Sequence, residues 1–296
     1  MLSSQRCSAS WTPVPAPAAP LPGADRLAFN PMSRRLRLDA ELVRRGLARS
    51  RDQAAELIAS GRVAVGGQTA AKPASQVSVD AAITVQQVTE EHGYVSRGAH
   101  KLAGALTAFG GLTVAGKRCL DAGASTGGFT DVLLRAGAAE VVAVDVGYGQ
   151  LAWSLRTDPR VTVLDRVNVR TLQPEQVAPP PGLVVADLSF ISLTLVLPAL
   201  VRCAAQDADY LLMVKPQFEV GKDLVGGGVV RDPQLRAAAV AKIAAAAAEH
   251  GLGTAGITAS PLPGPSGNVE YFLWLRRGAP PLDEAALSAA IAAGPQ

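Results

Sequence analysis

The chain has 296 residues, 48% of them hydrophobic and only 4% aromatic, with 3 cysteines and a formal net charge of +3. That length holds one large domain or two smaller ones, and the Ala-, Val- and Leu-rich core material suits parallel α/β packing. Cys7, Cys119 and Cys203 stand far apart in no metal-ligand spacing, so a disulfide framework or metal site is not expected, and a reduced, cytoplasmic compartment is. There is no run of about 18 uncharged apolar residues and no continuous apolar core at the N-terminus, so neither a membrane span nor a secretory signal is expected.

Residues 1–32 are rich in Pro, Ala and Ser without periodicity and read as a disordered extension. Met32 is a candidate alternative start. From Leu36 to Gly46, Leu36, Leu38, Leu42 and Val43 fall on one helical face. Ser50-Arg-Asp-Gln53 is a capping-box pattern that opens a second helix, ended by Gly61. Short strands follow at 63–65, 77–79 and 83–85. The charge is concentrated here. Residues 33–101 carry 11 Lys/Arg against 7 Asp/Glu, a net of +4, whereas residues 102–296 carry 15 against 17, a net of −2. A localised basic face is the electrostatic footprint of a nucleic-acid partner, although a solvated helix face looks the same from charge alone.

Residues 33–93 resemble the S4 RNA-binding domain. The residues that carry the resemblance are Arg37-Leu-Asp39, Leu42-Val-Arg-Arg-Gly46, Leu47-Ala-Arg-Ser50, Ala54, Ile58 and Gly61-Arg-Val-Ala-Val65. It implies a small α+β module whose Arg44, Arg45, Arg49, Arg51 and Arg62 contact RNA phosphates. Arg34, Arg37 and Arg97 complete the candidate RNA-binding set.

Residues 86–100 connect to a second module, which alternates strands and helices from Lys101 onward. Apolar strands read at 119–120, 141–144, 161–164, 183–186, 211–214, 255–258 and 269–275, with helices near 128–137, 149–157, 191–204 and 233–250. Such alternation predicts a parallel sheet covered on both faces. Residues 279–296 read as a C-terminal tail. Asp121-Ala-Gly-Ala-Ser-Thr-Gly-Gly-Phe-Thr130 joins a strand to a helix through a glycine-rich turn, and Asp145 ends the next strand where it suits a ribose diol. Both features point to a nucleoside cofactor. The missing G-x-G-x-x-G spacing and the acid inside the turn favour S-adenosylmethionine over NAD. An ordinary strand–turn–helix looks the same from the turn alone.

Asp187 and Lys215 also stand at strand ends, where ligands of such sheets bind. Lys101 lies just before the sheet, and Glu270 lies within the last strand, where a charge needs a partner if it faces inward. Methyl transfer to a ribose 2′-hydroxyl needs a proton acceptor. A lysine whose ammonium is disfavoured by desolvation can serve, with carboxylates and a second lysine to align the hydroxyl.

The segment from Tyr94 to Arg276 resembles the TlyA family of ribosomal RNA 2′-O-methyltransferases, with a methyltransferase domain of the FtsJ/RrmJ type over 94–278. Five motifs carry it: Tyr94-Val-Ser-Arg-Gly-Ala-His-Lys-Leu102, Asp121 to Asp131, Ala186-Asp-Leu-Ser-Phe-Ile191, Val214-Lys-Pro-Gln-Phe-Glu219 and Gly267-Asn-Val-Glu-Tyr271. The resemblance implies a Rossmann-like class I S-adenosylmethionine-dependent methyltransferase sheet. It also implies a catalytic tetrad of Lys101, Asp187, Lys215 and Glu270, with Lys215 the base. The cofactor set it implies is Asp121, Gly123, Ser125, Thr126, Gly127, Gly128, Asp145, Asn168 and Phe190. No metal is expected, and the expected partners are ribosomal RNA, with cytidine as target, and ribosomal subunits. Members of the family are often labelled haemolysins, so a membrane-active protein is one alternative reading. A non-catalytic S4-type RNA-binding protein is another.

Overall fold

The computed structural model describes residues 35–48, 51–59, 61–85, 93–221, 225–264 and 266–294. The disorder expected for 1–32 and the sites expected at Arg34 and Arg49 lie outside these residues. The chain forms two compact units that divide between Gln86 and Gln87, inside the connecting stretch expected from the sequence.

The first unit runs β1 (Arg35–Arg37), α1 (Leu38–Arg44), α2 (Arg51–Ala59), β2 (Val63–Val65), β3 (Gln68–Thr69), β4 (Gln76–Ser78) and β5 (Ile83–Val85). Leu36, expected to be helical, pairs with Val77 in an antiparallel β1–β4 ladder instead. The helix starts two residues later than its apolar pattern, because Leu36 is taken by a strand. Gly66 and Gly67 both have positive φ and turn β2 directly into β3, the two-residue geometry that such hairpins require. Leu38, Leu42, Ala54, Ile58 and Val63 form the core between the helix pair and the strands.

The second unit contains α3 (Gly98–Ala108), β6 (Arg118–Ala122), α4 (Gly128–Arg135), β7 (Glu140–Asp145), α5 (Trp153–Arg156), β8 (Val161–Asp165), β9 (Leu183–Ala186) and α6 (Leu197–Cys203). It continues with β10 (Asp209–Val214), α7 (Pro216–Glu219), α8 (Pro233–Glu249), β11 (Leu252–Ala259), β12 (Tyr271–Arg277) and α9 (Glu284–Ala293). One seven-stranded sheet is ordered β11-β12-β10-β9-β6-β7-β8. The five strands from β10 to β8 are parallel, whereas β12 runs antiparallel to both neighbours. Chain reversal at order β9-β6-β7 makes a switch point, where α/β sheets open a crevice at their carboxyl edge.

Alternation along the buried strands sorts the core into two layers. Leu120, Val142, Val184 and Leu212 face α6 and α8, while Cys119, Val141, Val185 and Leu211 face α3 and α4. Burial in the second layer pushes the Cys119 thiol up to about 12, as an apolar site disfavours thiolate.

Two expectations need correction. Residues 279–296 are more than a tail: Asp283 Oδ1 accepts from the Ala286 amide at 2.7 Å and so caps α9, which packs on α8 and β11. Residues 98–100, read as connector, open the helix α3 that carries Lys101. That helix is rich in Gly and Ala and has little polar face to announce it.

Candidate active site

Three adjacent strands deliver three charged residues to one edge. Asp187 follows β9 and Lys215 follows β10. Glu270 lies immediately before β12 rather than within it. Because Val214 pairs with Tyr271, Lys215 and Glu270 are the next residues beyond the ladder on neighbouring strands. Lys215 Nζ lies 2.5 Å from Asp187 Oδ1 and donates to Ser189 Oγ at 3.0 Å. Lys101 reaches in from α3 and donates to Glu270 Oε2 at 2.5 Å, with both side chains buried. The tetrad expected from the sequence is thus two lysine–carboxylate pairs. Glu270 Oε1 is buried with no hydrogen-bond partner and faces Gly264.

Beside Asp187 is a cavity of about 520 Å³ lined by Gly123, Ser125, Asp145, Gln150, Asn168 and Phe190, with Val146 and Ile191 as apolar walls. Its acid is held rigidly: Asp145 Oδ2 accepts from the Ser125 amide at 2.8 Å, and Oδ1 accepts from the Gly147 amide at 2.7 Å. Asn168 is fixed by the Arg170 amide, which donates to Oδ1 at 3.0 Å. Gly123 has φ +89, and a Cβ there would sit 2.6 Å from the Asp187 carbonyl oxygen. That position needs glycine because the carboxyl ends of β6 and β9 approach so closely. An acid placed for a diol, a backbone turn without side chains and apolar walls for a base fit a nucleoside cofactor. Among the described residues no group of three or more His, Cys, Asp or Glu is arranged to hold a metal ion.

Four residues of the expected cofactor set do not line that cavity. Gly127 caps α4 at φ +95 and leaves space for the Leu151 side chain, while Gly128 lets α4 approach the Ala99 amide of α3. The Thr126 carbonyl accepts from the Ala152 amide at 3.1 Å. Asp121 is fully buried and accepts from Thr130 Oγ1 at 2.7 Å, with its other oxygen unpartnered. Burial, aided by Asp187 and Asp145 and opposed by Thr130, pushes its carboxyl up to about 7. These residues build the turn from beneath. Gln150 and Ser189, absent from the expected set, line the cavity. Their only signal in the sequence is that they follow strand-end acids.

Phe190 is 91% exposed, adopts φ +64 and stacks obliquely on Phe218 with centroids 5.2 Å apart. A bulky residue in the left-handed region is strained, and such strain collects at functional sites.

In the first unit the arginines divide into two kinds. Arg45 is anchored: it donates to the carbonyls of Ala81 and Val79, both at 2.7 Å, and to Glu41 at 2.6 Å. Arg44 is 55% exposed although it also pairs with Glu41, and the two arginines pull that carboxyl down to about 2. Arg37 and Arg51 share Asp39 with their own side chains largely exposed. Arg62 lies just before β2. Arg97 lies in the second unit, at the N-cap of α3.

The comparison with known proteins rests on both units. The FtsJ-like methyltransferase family matches residues 94–277, and the S4 domain matches residues 36–83. The 16S/23S rRNA (cytidine-2′-O)-methyltransferase TlyA of Mycobacterium tuberculosis is 68% identical over 247 residues, covering 83% of this chain and 91% of that protein. The chain belongs to the TlyA family. Within it, Hemolysin A of Brachyspira hyodysenteriae is 37% identical and covers 80% of this chain and 98% of its own length. A solved hemolysin-named structure from Streptococcus thermophilus is 34% identical, with a TM-score of 0.68, covering 88% of this chain and 96% of that one. The family makes the second unit a methyltransferase and the first an S4 module. No helix among the described residues is long and apolar enough to cross a membrane.

Proposed function

We propose that this chain methylates ribosomal RNA at the 2′-hydroxyl of cytidine, using S-adenosylmethionine, with the S4 unit docking the RNA. The observation that carries the reading is the Lys215–Asp187 ion pair at 2.5 Å, whose Asp187 lines a cavity with the attributes of a nucleoside site. The 2′-O-methyltransferase relative that matches 91% of its own length supports the same substrate class. Ribosomal subunits are the proposed form of the substrate.

In this reading Asp145 holds the cofactor's ribose diol, Val146 and Ile191 flank its base, and the Gly123–Ser125 backbone accommodates its tail. When bound, S-adenosylmethionine supplies an electrophilic methyl group on a sulfonium. Lys215, as the neutral amine left once its ammonium gives a proton to solvent, takes the proton of the attacking hydroxyl at Nζ, because an oxygen nucleophile must lose that proton as the new bond forms. Asp187 holds the amine in line. Glu270 and Lys101, paired with each other, orient the ribose and balance the charge of the site. Alignment supplies much of the rate, since the methyl is already activated.

The test is incorporation of labelled methyl into separated ribosomal subunits, naked ribosomal RNA and bulk protein, beside Lys215→Ala. Label in RNA that resists alkaline cleavage at the modified site, and that the variant loses, supports the reading. Label only in protein, or none while cofactor still binds, overturns it.

A further inference from the structure

Glu219 ends the Lys-Pro-Gln-Phe-Glu motif that begins with Lys215, and none of the roles above uses it. Its side chain is 1% exposed, and a carboxylate so deeply buried needs partners. It finds them across the active-site edge. Ser192 Oγ donates to Oε2 at 2.5 Å, and the Leu193 amide donates to Oε1 at 2.8 Å. On its other side Lys242 of α8 donates to the Glu219 carbonyl at 2.7 Å and keeps its ammonium 3.5 Å from Oε2.

Residues 187–192 lie beyond the end of β9; the Asp187 amide still donates to the Ala122 carbonyl of β6 at 3.1 Å, but no strand ladder holds 188–192. This is the segment that carries Asp187 and Ser189, both bound to Lys215, and the strained Phe190. It meets the turn after β10 at three points: Asp187 and Ser189 on Lys215, Phe190 on Phe218, and Ser192 with Leu193 on Glu219. The first contact must yield during turnover, because the amine exchanges a proton. The second is a ring contact whose Phe190 member is exposed. The third is buried and charge-assisted, the strong kind of hydrogen bond.

We propose that Glu219 is a positioning residue that clamps the Asp187 segment to the Lys215 turn and keeps the carboxylate in line with the amine. The inference rests on the proposed methyl transfer. It predicts an effect on the chemical step and little effect on binding. Asp145 and the Gly123–Ser125 turn, which hold the cofactor's ribose and tail, belong to the ends of β6 and β7 outside the clamp, and the clamped segment adds only cavity wall at 187–191; the S4 unit docks RNA independently of it.

The experiment uses the full-length chain with ribosomal subunits and labelled S-adenosylmethionine, comparing the unaltered protein, Glu219→Ala, Glu219→Gln, Ser192→Ala and Lys215→Ala. For Glu219→Ala, kcat should fall by about tenfold to a hundredfold, the effect of a misplaced reacting group. Cofactor Kd by calorimetry and KM for the subunit should change by less than about threefold. Glu219→Gln keeps an acceptor for the Leu193 amide and should recover part of kcat. Ser192→Ala removes the bond to Oε2, together with the Thr194 amide and hydroxyl contacts of Ser192 Oγ, without emptying a buried site, and should lower kcat in the same direction. It decides the matter if Glu219→Ala does not fold. Full kcat in Glu219→Ala or Ser192→Ala overturns the inference alone, as does a loss of kcat matched by an equal loss of cofactor binding. No label with the unaltered protein overturns the methyl-transfer reading, and the clamp with it.

Discussion

Lys101 and Glu270 stand 169 positions apart, yet Nζ and Oε2 meet at 2.5 Å with both side chains removed from solvent. The pair ties α3, the first helix of the catalytic unit, to the last strand of its sheet. Taking two charges out of water is offset only while they face each other.

Removing one partner should therefore be worse than removing both. Lys101→Met or Glu270→Leu leaves an uncompensated buried charge and should destabilise the chain by about 3–5 kcal/mol. The double variant should recover part of that loss while remaining inactive. Equilibrium denaturation of the four proteins measures the coupling, and additive losses would show that the pair does not act as a unit.

Asp121 gives the stability a pH dependence of unusual sign. Its carboxyl is raised by burial from 3.8 to about 7, so between those values the folded state binds more protons than the unfolded state. Stability from this group is then present at low pH and is lost as pH rises towards 7. Relative to the unaltered protein, Asp121→Asn should gain stability progressively from about pH 4 to pH 7 and level off above. Denaturant midpoints across that range check it; a constant difference would place the Asp121 carboxyl at its ordinary value.

Phe190 should reverse the usual ranking of alanine over glycine. Its φ of +64 disfavours any residue with a Cβ, so Phe190→Gly should be more stable than Phe190→Ala by about 1 kcal/mol. Both should lose activity with the aromatic ring. Thermal unfolding and methyl incorporation on the same preparations separate the two effects.

The arginines of the S4 unit should also separate. Arg45→Ala breaks bonds to two backbone carbonyls and should cost about 2 kcal/mol of that unit's stability. Arg44→Ala takes a bidentate partner from the buried Glu41 and should also cost stability; both it and Arg62→Ala should weaken RNA binding and flatten its dependence on salt by about one counterion each. Filter binding at several salt concentrations, beside unfolding curves, checks both halves.

Much of this was legible in the chain because buried parallel strands are apolar runs, and a charge directly after one stands out. Asp145, Asp187 and Lys215 are found this way, and their convergence follows from parallel strands ending at one edge. Glu270 is harder: Val269 before it is apolar, so the start of β12 cannot be distinguished from its interior. The roles of Asp121, Gly127 and Gly128 are hidden for another reason. Glycines that admit a ligand and glycines that admit a neighbouring helix have the same sequence, and only the Leu151 side chain and the Ala99 amide tell them apart. Arg45 looks like its basic neighbours because its carbonyl partners lie 34 and 36 residues away.

The direction of β12 sets when the enzyme can first work. A strand that runs against its neighbours begins where they end, and so it brings Glu270 to the reacting edge with no intervening loop. It also makes the site depend on a segment that leaves the ribosome long after the S4 unit. Domains form in order of synthesis, so the S4 unit can fold and hold RNA while Lys101 still lacks its carboxylate. Methylation then waits on translation: a nascent chain could grip its substrate but could not yet modify it.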